Sequence, residues 1–263
     1  MTFQTTISRS LRVSLRRGAL AALALAAIAC GTRDAAAPLE PSGAIGRVRF
    51  VNLITDTTRG RVNAILENVI FGVNLTYAVA TPASLPAPAA ASYKAIVVGG
   101  RTLVLKRTID TTVTVATIAF TSDVGVDKTI YGIGGTGGSA VTSFLTTDDN
   151  TVAAASQTRV RIVNMGPTVG PIDVFITAAG ADLSAATPVA TNVAYQGSSP
   201  YLAVVPGSYQ FRAVPAGTAP AARAAAVRIT LSVTLPGGTG RTIVAADNNV
   251  GGAPLRAFLL TDR

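Results

Sequence analysis

The sequence lacks two residue types that support much of enzyme chemistry, and it has almost none of a third. Its 263 residues include no histidine, no tryptophan and a single cysteine, Cys30. Without histidine there is no His-based triad, no histidine zinc site and no ordinary general base near neutral pH. A lone cysteine forms no disulfide within the chain. We therefore expect neither a cofactor nor a metal site.

Acidic residues are also scarce, with 13 against 22 lysines and arginines, and the formal net charge is +9. Four of the cations, Arg9, Arg12, Arg16 and Arg17, lie within residues 1–29, which contain no acid. No dense basic run interleaves with aromatic residues, so we expect no nucleic-acid partner. The 13 acidic residues keep a carboxylate-based hydrolase possible, and it is the least favoured of the functions considered below.

The four arginines are followed by an apolar run over residues 18–29, which ends at Cys30. This run is shorter than the roughly 20 residues that span a bilayer as a helix. Its length is typical of the apolar part of a secretory signal peptide. We therefore predict a signal peptide over residues 1–29.

The stretch A-I-A-C at 27–30 resembles the cleavage site of bacterial lipoprotein signals, although alanine stands at position 27 where leucine is usual. The resemblance implies that Cys30 carries lipid and that residues 30–45 form a flexible tether. Several acyl chains anchor a protein firmly to a membrane, whereas one alone binds marginally. Gly31, rather than aspartate, follows the cysteine, which favours the outer membrane or cell surface over the inner membrane. The alternative is a plain signal peptide with a chance cysteine.

The rest of the chain contains an internal duplication. The motif R-V-R-F-V-N at 47–52 returns as R-V-R-I-V-N at 159–164, and F-L-T-T-D at 144–148 returns as F-L-L-T-D at 258–262. A nearly constant spacing of roughly 115 residues indicates a duplicated domain with small changes in its loops. We predict one repeat over residues 46–150 and a second over residues 158–263.

Alternating apolar residues and frequent turn residues predict an all-β fold of two tandem antiparallel β-sandwiches. Arg47, Arg49, Arg159 and Arg161 alternate with apolar residues, which predicts a solvated strand face. In the second repeat we predict eight strands, near residues 159–164, 171–177, 188–194, 201–205, 208–214, 226–235, 241–246 and 255–261.

The second repeat resembles the bacterial domain of unknown function 4397 family. The resemblance is carried by R-V-R-I-V-N-M-G-P from residue 159, by P-I-D-V-F-I at 171–176 and by S-P-Y-L-A-V-V-P-G-S-Y at 199–209. The first repeat is more divergent and has V-N-A-I-L at 62–66 where the family has V-D-V-Y-V. The resemblance implies an immunoglobulin-like sandwich found in secreted and lipid-anchored proteins, and it implies no activity.

Two kinds of loop motif have functional alternatives. Gly132, Gly134 and Gly137 match G-x-G-x-x-G, but a strand-like run follows them, so we predict a hairpin connection rather than a dinucleotide site. The stretches 123–127, 148–150 and 247–249 are rich in Asp or Asn and could offer oxygens to calcium. None has the spacing of a known calcium loop, so we interpret them as turns.

The tyrosines divide into two groups. Tyr77 with Tyr195, and Tyr93 with Tyr209, align between the repeats, which predicts roles in the core or at a corner of the sandwich. Tyr131 and Tyr201 have no partner in this alignment, and we predict that they are exposed and could contact a ligand.

These observations favour a non-enzymatic, lipid-anchored cell-envelope protein that presents two β-sandwiches for binding or scaffolding. Its partners would be the membrane, through lipid on Cys30, and an envelope protein or polysaccharide. The alternative is a polysaccharide-binding surface module, although sandwiches of that kind usually rely on tryptophan or tyrosine platforms. Fold class alone does not choose between these functions.

Overall fold

The computed structural model describes residues 43–82 and 93–262, which are almost entirely β-structure. The strands of repeat 1 are β1 (Ile45–Ile54), β2 (Val62–Leu66), β3 (Val69–Leu75), β4 (Val79–Thr81), β5 (Lys94–Val97), β6 (Gly99–Arg107), β7 (Asp110–Ser122), β8 (Asp127–Gly134) and β9 (Val141–Asp148). Those of repeat 2 are β10 (Thr158–Asn164), β11 (Ile172–Thr177), β12 (Ala190–Val193), β13 (Gly197–Ser198), β14 (Leu202–Val204), β15 (Gly207–Pro215), β16 (Ile229–Leu235), β17 (Thr239–Ala246) and β18 (Arg256–Thr261). The prediction of an all-β sandwich fold is confirmed.

Each repeat has two sheets with the same order of strands. In repeat 1, an inner sheet has the order β4-β1-β8-β9 with β5 also paired to β1, and an outer sheet has the order β3-β2-β6-β7. In repeat 2, the inner sheet is β13-β10-β17-β18 with β14 paired to β10, and the outer sheet is β12-β11-β15-β16. The eight strands predicted in repeat 2 each overlap an observed strand, and only the two-residue β13 was not predicted.

One pairing in each repeat is parallel rather than antiparallel. Strand β1 runs parallel to β8, from Arg47 opposite Asp127 to Ile54 opposite Gly134, and β10 runs parallel to β17 in the same way. Parallel neighbours need a long crossover connection. Here the intervening chain supplies it, because in repeat 1 it builds the outer sheet and also the short strands β4 and β5, which pair with β1.

The core of each repeat lies between its inner and outer sheets. In repeat 1, Val48, Phe50 and Ile130 from the inner sheet pack against Leu103 and Leu105 from the outer sheet. An equivalent core in repeat 2 joins β10 and β17 to β11 and β15. Alternate residues of β1 therefore face this core, as the period of two in a strand requires.

A third apolar core lies between the two repeats. Val51 and Tyr131 of one inner sheet pack with Val163, Met165 and Val244 of the other. The two inner sheets therefore face each other, and the chain forms four layers in the order outer, inner, inner, outer. Both faces of β1 are covered, which explains why nine of its ten residues are at least partly buried.

The prediction of a solvated arginine face is therefore wrong for two of the four arginines. Arg49 and Arg161 are each only 3% exposed. Arginine at every second position of a strand predicts a face in contact with water. Here the face that carries Arg49 and Arg161 packs against the other repeat. Arg47 and Arg159 lie nearer the ends of their strands and remain partly exposed.

The outer sheet of repeat 2 has its own cover. Phe175 and Val214 on its outward face pack with Leu183 and neighbouring small residues in a small separate core. The guanidinium of Arg223 lies 5.1 Å from the centre of the Phe175 ring. Segments 178–189 and 216–228 supply these covering residues.

The duplicated motif ends in an asparagine in both repeats, Asn52 and Asn164, and the two side chains have the same structural role. Asn52 is fully buried, and its Nδ2 donates hydrogen bonds to the carbonyl oxygens of Gly60 (2.7 Å) and Leu75 (2.9 Å). Asn164 donates in the same way to Gly170 (2.8 Å) and Val193 (3.0 Å). Each amide therefore ties two loops to a central strand, so a side chain without donors cannot replace it.

Replacing Asn164 by alanine should lower the free energy of unfolding by about 2–3 kcal/mol, because the buried carbonyl of Val193 and the partly buried carbonyl of Gly170 lose their donor. Urea unfolding followed by circular dichroism measures the loss. Thr142→Ala, an exposed change on β9, serves as the control and should stay within about 0.5 kcal/mol of the wild type. Equal stability of Asn164→Ala and the wild type would contradict this role.

Several predictions concern residues outside the described part of the chain. The signal peptide over 1–29, lipid on Cys30 and most of the tether over 30–45 are among them, although β1 already begins at Ile45. Within residues 43–82 and 93–262 there is no helix long and apolar enough to cross a membrane.

Candidate functional site

The largest concentration of buried charge lies between the two inner sheets. We call it the polar cluster, and it consists of Arg49, Thr129, Asp148 and Tyr93 from repeat 1 and of Arg161, Thr242, Asp262 and Tyr201 from repeat 2. The guanidinium and carboxylate side chains in it are between 0 and 3% exposed. Burial of four charges at one place requires that each be paired and hydrogen-bonded.

The inner sheet of each repeat places these residues side by side. Arg49 lies directly opposite Thr129 across the parallel β1–β8 pair, and its Nη2 donates to the threonine hydroxyl at 3.0 Å. The same hydroxyl donates to Asp148 at the end of β9. In repeat 2, Arg161, Thr242 and Asp262 occupy the equivalent positions.

The ion pairs are exchanged between the repeats. Arg49 of repeat 1 reaches Asp262 of repeat 2, with Nη2 2.8 Å from Oδ1. Arg161 of repeat 2 reaches Asp148 of repeat 1, with Nη2 2.6 Å from Oδ1. Each guanidinium also donates to a backbone carbonyl of the other repeat, that of Thr261 (2.7 Å) for Arg49 and that of Thr147 (3.0 Å) for Arg161. The interface therefore has the reciprocal pattern of a two-fold symmetric dimer within one chain.

In each half of the polar cluster, a tyrosine binds the aspartate and covers the arginine. The hydroxyl of Tyr93 donates to Asp148 at 2.7 Å, and the Arg49 guanidinium lies 4.7 Å from its ring centre. The hydroxyl of Tyr201 donates to Asp262 at 3.2 Å, and the Arg161 guanidinium lies 4.8 Å from its ring centre. Stacking of this kind adds a cation–π attraction to the hydrogen bonds.

This geometry corrects the predicted alignment of the tyrosines. Tyr93 corresponds to Tyr201, because each precedes the short strand that pairs with the first strand of its repeat. Tyr209, the predicted counterpart of Tyr93, lies on β15 and donates to the carbonyl of Val205 instead. Tyr77 and Tyr195 both pack against the core between the repeats, as a core role requires.

The two predicted ligand contacts are not free surface residues. Tyr131 is 0% exposed, so the prediction that it is an exposed contact is wrong. It faces the other repeat from β8, and its hydroxyl has no hydrogen-bond partner among the described residues. Tyr201 is partly buried, and its ring is covered by Arg161 and by Arg159, whose guanidinium lies 4.9 Å from the ring centre.

Burial and charge shift the titration of the polar cluster. Burial lowers the pKa of Arg49, but attraction to Tyr93, Asp262 and Asp148 outweighs burial, and the net pKa lies above its ordinary value. The pKa of Arg161 is raised in the same way. Burial raises the pKa of Tyr93 and of Tyr201, because a phenolate would lose its hydration. The guanidinium groups stay charged and the phenols neutral over the whole physiological range.

The carboxylates outside the polar cluster accept hydrogen bonds in turns and loops or pair with arginine or lysine. The pKa of Asp56 is low even though burial opposes this, because Thr58 and Arg59 donate hydrogen bonds to the carboxylate. Asp247 accepts hydrogen bonds from Thr168 and Gly252 across its loop. Among the described residues there is no group of three or more His, Cys, Asp or Glu that could hold a metal ion.

The glycine motif lies in a hairpin, as predicted. Strands β8 and β9 are antiparallel neighbours, and Gly134, Gly135 and Gly137 have positive φ angles in the connection between them. A three-residue 3-10 turn (Thr136–Gly138) replaces the helix that a dinucleotide site needs.

Two open clefts lie elsewhere on the surface. One of about 440 Å³ is lined by Thr168, Arg228, Gly252, Ala253, Pro254 and Leu255. Another of about 200 Å³ is lined by Ile54, Asp56, Thr57, Gly60, Arg61, Thr76, Tyr77 and Asn249. Tyr77 lines the second cleft, and its hydroxyl donates to the carbonyl of Asp247 at 2.6 Å.

Comparison with known proteins defines no family. No family model matches the chain, and no curated protein matches it. Among solved structures, it is similar to a family 26 carbohydrate-binding module of Eubacterium rectale Amy13K in complex with maltoheptaose, at 9% identity and a TM-score of 0.25, over 82% of this chain and 97% of that one. A leucine-rich repeat protein from Bacteroides thetaiotaomicron VPI-5482 shows 11% identity and a TM-score of 0.18, over 78% of this chain and 26% of that one. Similarity at this level carries no inference about function.

The polar cluster was missed in the sequence, although its signal is present. The duplication retains an arginine at 49 and 161, a threonine at 129 and 242, and an aspartate at 148 and 262. Retention of the same charged residue in two divergent copies indicates a common contact. The alternation of apolar and charged residues could not show that this contact is with the other copy.

Arg49→Met should lower the free energy of unfolding by about 3–5 kcal/mol, because it leaves the carboxylate of Asp262 buried without its partner. Arg107→Met is the matched control, since its pair with Asp110 is partly exposed and should contribute at most about 1 kcal/mol. Chemical denaturation of both variants measures the difference. A loss from Arg49→Met no larger than the control's would contradict the structural role of the exchanged pairs.

We expect the protein to unfold at high pH, and its buried tyrosines to ionise in the same transition. The pKa values of Tyr77, Tyr93, Tyr131, Tyr195 and Tyr201 are all raised, chiefly by burial. A raised pKa in the folded state gives a contribution to stability that is complete below the ordinary value of about 10 and is lost as pH rises above it. Absorbance at 295 nm and circular dichroism should therefore change together. Smooth ionisation of all the tyrosines with the fold intact would contradict their burial.

Proposed function

We propose that this chain is a non-enzymatic scaffold or binding protein of the cell envelope, held by lipid on Cys30, in which two β-sandwiches act as one rigid body. The observation that carries the proposal is the exchange of Arg49 and Arg161 between the repeats. A binding protein whose domains must move would expose this surface in at least one of its states, and that would transfer the apolar side chains of Val51, Val163 and Val244 into water.

The short connection between the repeats supports rigidity. Only residues 149–157 separate β9 from β10, and Asp149 pairs with Arg159 across this connection. Arg159 also donates to the carbonyl of Thr151 at 3.1 Å. The outer sheet of repeat 1, the outer strand edges and the loops at both ends of the four layers are the surfaces left to meet a partner, since segments 178–189 and 216–228 cover part of the outer sheet of repeat 2.

Engagement of the carboxylates weighs against the hydrolase alternative. Enzymes that use two carboxylates place them on either side of an open cleft. The most buried carboxylates described here face structural donors instead, as Asp127 does with Arg47 at 2.6 Å and Asp148 and Asp262 do within the polar cluster.

Polysaccharide binding stays the alternative function, and it would need a surface other than the two tyrosines first considered. Cross-linking in intact cells, followed by mass spectrometry, distinguishes a protein scaffold from a polysaccharide-binding module. An attached protein would support the scaffold, whereas attached glycan without a protein would favour the alternative.

Anchoring is tested by labelling with palmitate in a diderm bacterium that expresses the full chain. The wild type should take up the label and sediment with membranes, whereas Cys30→Ser should do neither, because it lacks the thiol that receives lipid. Thr32→Ser, a change two residues away, is the matched control and should behave like the wild type. Label in Cys30→Ser, or a wild type free of label, would contradict the proposed anchoring.

A further inference from the structure

The smaller of the two clefts described above, of about 200 Å³, is built by both repeats. The β1–β2 loop and the β3–β4 turn of repeat 1 supply most of its lining, and Asn249 in the β17–β18 loop of repeat 2 supplies the rest. The hydroxyl of Tyr77 in repeat 1 donates to the carbonyl of Asp247 in repeat 2 at 2.6 Å and joins the two sides. We call this site the inter-repeat cleft. Its complete lining requires the docked arrangement of the repeats.

Four polar side chains of the lining have no hydrogen-bond partner among the described residues. They are the hydroxyls of Thr57 and Thr76, the guanidinium of Arg61 and the amide of Asn249. One exposed polar side chain of this kind is ordinary, because water satisfies it. Here four of them, from three separate connections between strands, line one concave site. Convergent polar groups in a concave site are what orients a small ligand.

The lining also carries a positive charge that no carboxylate of the described residues neutralises. Its acid, Asp56, is paired with Arg59, and hydrogen bonds keep the pKa of Asp56 low, so that it stays a carboxylate. Arg61 makes no ion pair in the described part of the chain. Farther out, the opposite charges of Asp247 and Arg256 act in opposite directions on the phenol at the edge of the cleft. The inter-repeat cleft therefore favours a ligand with a negative group.

The free side chains of the inter-repeat cleft match a ligand that is rich in hydroxyls. Threonine hydroxyls and an asparagine amide each offer a donor and an acceptor, whereas a guanidinium only donates. Sugar hydroxyls also donate and accept, and a uronic acid adds a carboxylate, which a guanidinium binds through two parallel hydrogen bonds. A volume of about 200 Å³ lies below the roughly 300–1,000 Å³ of sites that enclose a drug-sized ligand. An open cleft of this size suits one residue of a chain whose neighbours continue into solvent.

We propose that the inter-repeat cleft binds an acidic polysaccharide through one uronic acid residue, whose carboxylate pairs with Arg61. The sugar hydroxyls contact the hydroxyls of Thr57 and Thr76 and the amide of Asn249. The inference rests on the polysaccharide alternative given under the proposed function, and it is independent of lipid on Cys30. Docking of the repeats holds both sides of the cleft in place before the ligand arrives, which lowers the cost of ordering them on binding.

Calorimetric titration of the full chain with trigalacturonate and with trimannuronate tests the site, because these oligomers carry the same charge on differently oriented hydroxyls. Arg61→Ala removes the cation on repeat 1, and Asn249→Ala removes the amide on repeat 2. Both residues are exposed, so neither change should unfold the protein, and circular dichroism checks this. Lys94→Ala is the matched control, since it removes an exposed cation opposite Val48, toward the other end of β1 from the cleft.

At least one of the two oligomers should bind the wild type. Arg61→Ala should weaken that binding about tenfold or more, because a charge-assisted pair is lost. Asn249→Ala should weaken it about fivefold through the loss of neutral hydrogen bonds. Lys94→Ala should change it less than about twofold in about 0.15 M salt, because a distant exposed charge is screened. A neutral galactose trimer should bind about tenfold more weakly than the uronic acid oligomer.

No binding of either uronic acid oligomer would overturn the proposal. Equal losses in Arg61→Ala and Lys94→Ala would also overturn it, because they would indicate non-specific attraction to net charge. Equal affinity for an aspartate tripeptide would assign the cleft to acidic peptides instead of saccharides. None of these measurements depends on the acyl chains, so palmitate labelling and cross-linking judge the anchoring and the scaffold separately.

Discussion

The structure depends on the exchange of two arginines between the repeats. Arg49 and Arg161 are buried with their charges intact, and each makes its shortest ion pair with a carboxylate of the other repeat. Asp148 of repeat 1 also lies 3.8 Å from Arg49. Moving such charges out of water costs several kcal/mol per ion, so a misaligned interface that buried them away from their partners would be strongly disfavoured. The exchanged pairs thus specify one relative placement of the two sandwiches.

Much else follows from that placement. Strands β1 and β10 are covered on both faces, so most of their residues are buried although two arginines and an asparagine interrupt each apolar sequence. Val51, Tyr131, Val163 and Val244 form an interface core that would face water if the repeats separated. The tyrosines at 93 and 201 complete the hydrogen bonding of the two aspartates and cover the arginines. Function is thereby left to the outer surfaces and the loops.

The sequence predicted the fold more fully than the interface. Strand positions follow from alternation and turn residues, and the duplication predicts that both repeats share them. Burial of Arg49 could not be predicted, because a strand face that alternates arginine with valine looks the same whether it meets water or a second sheet. Tyr131 was misjudged since its counterpart is Val244, so the comparison of repeats gave no sign of burial. Lipid on Cys30 and the resemblance to the domain of unknown function 4397 family stay predictions.

The central claim is that the two sandwiches behave as one body, and calorimetry of the folded chain tests it most directly. One transition, with a calorimetric enthalpy equal to the van't Hoff enthalpy of the whole unit, is the result that the exchanged pairs require. Two separate transitions, each with the enthalpy of a single repeat, would contradict the account, because they would mean that one sandwich survives the loss of the other's arginine and aspartate.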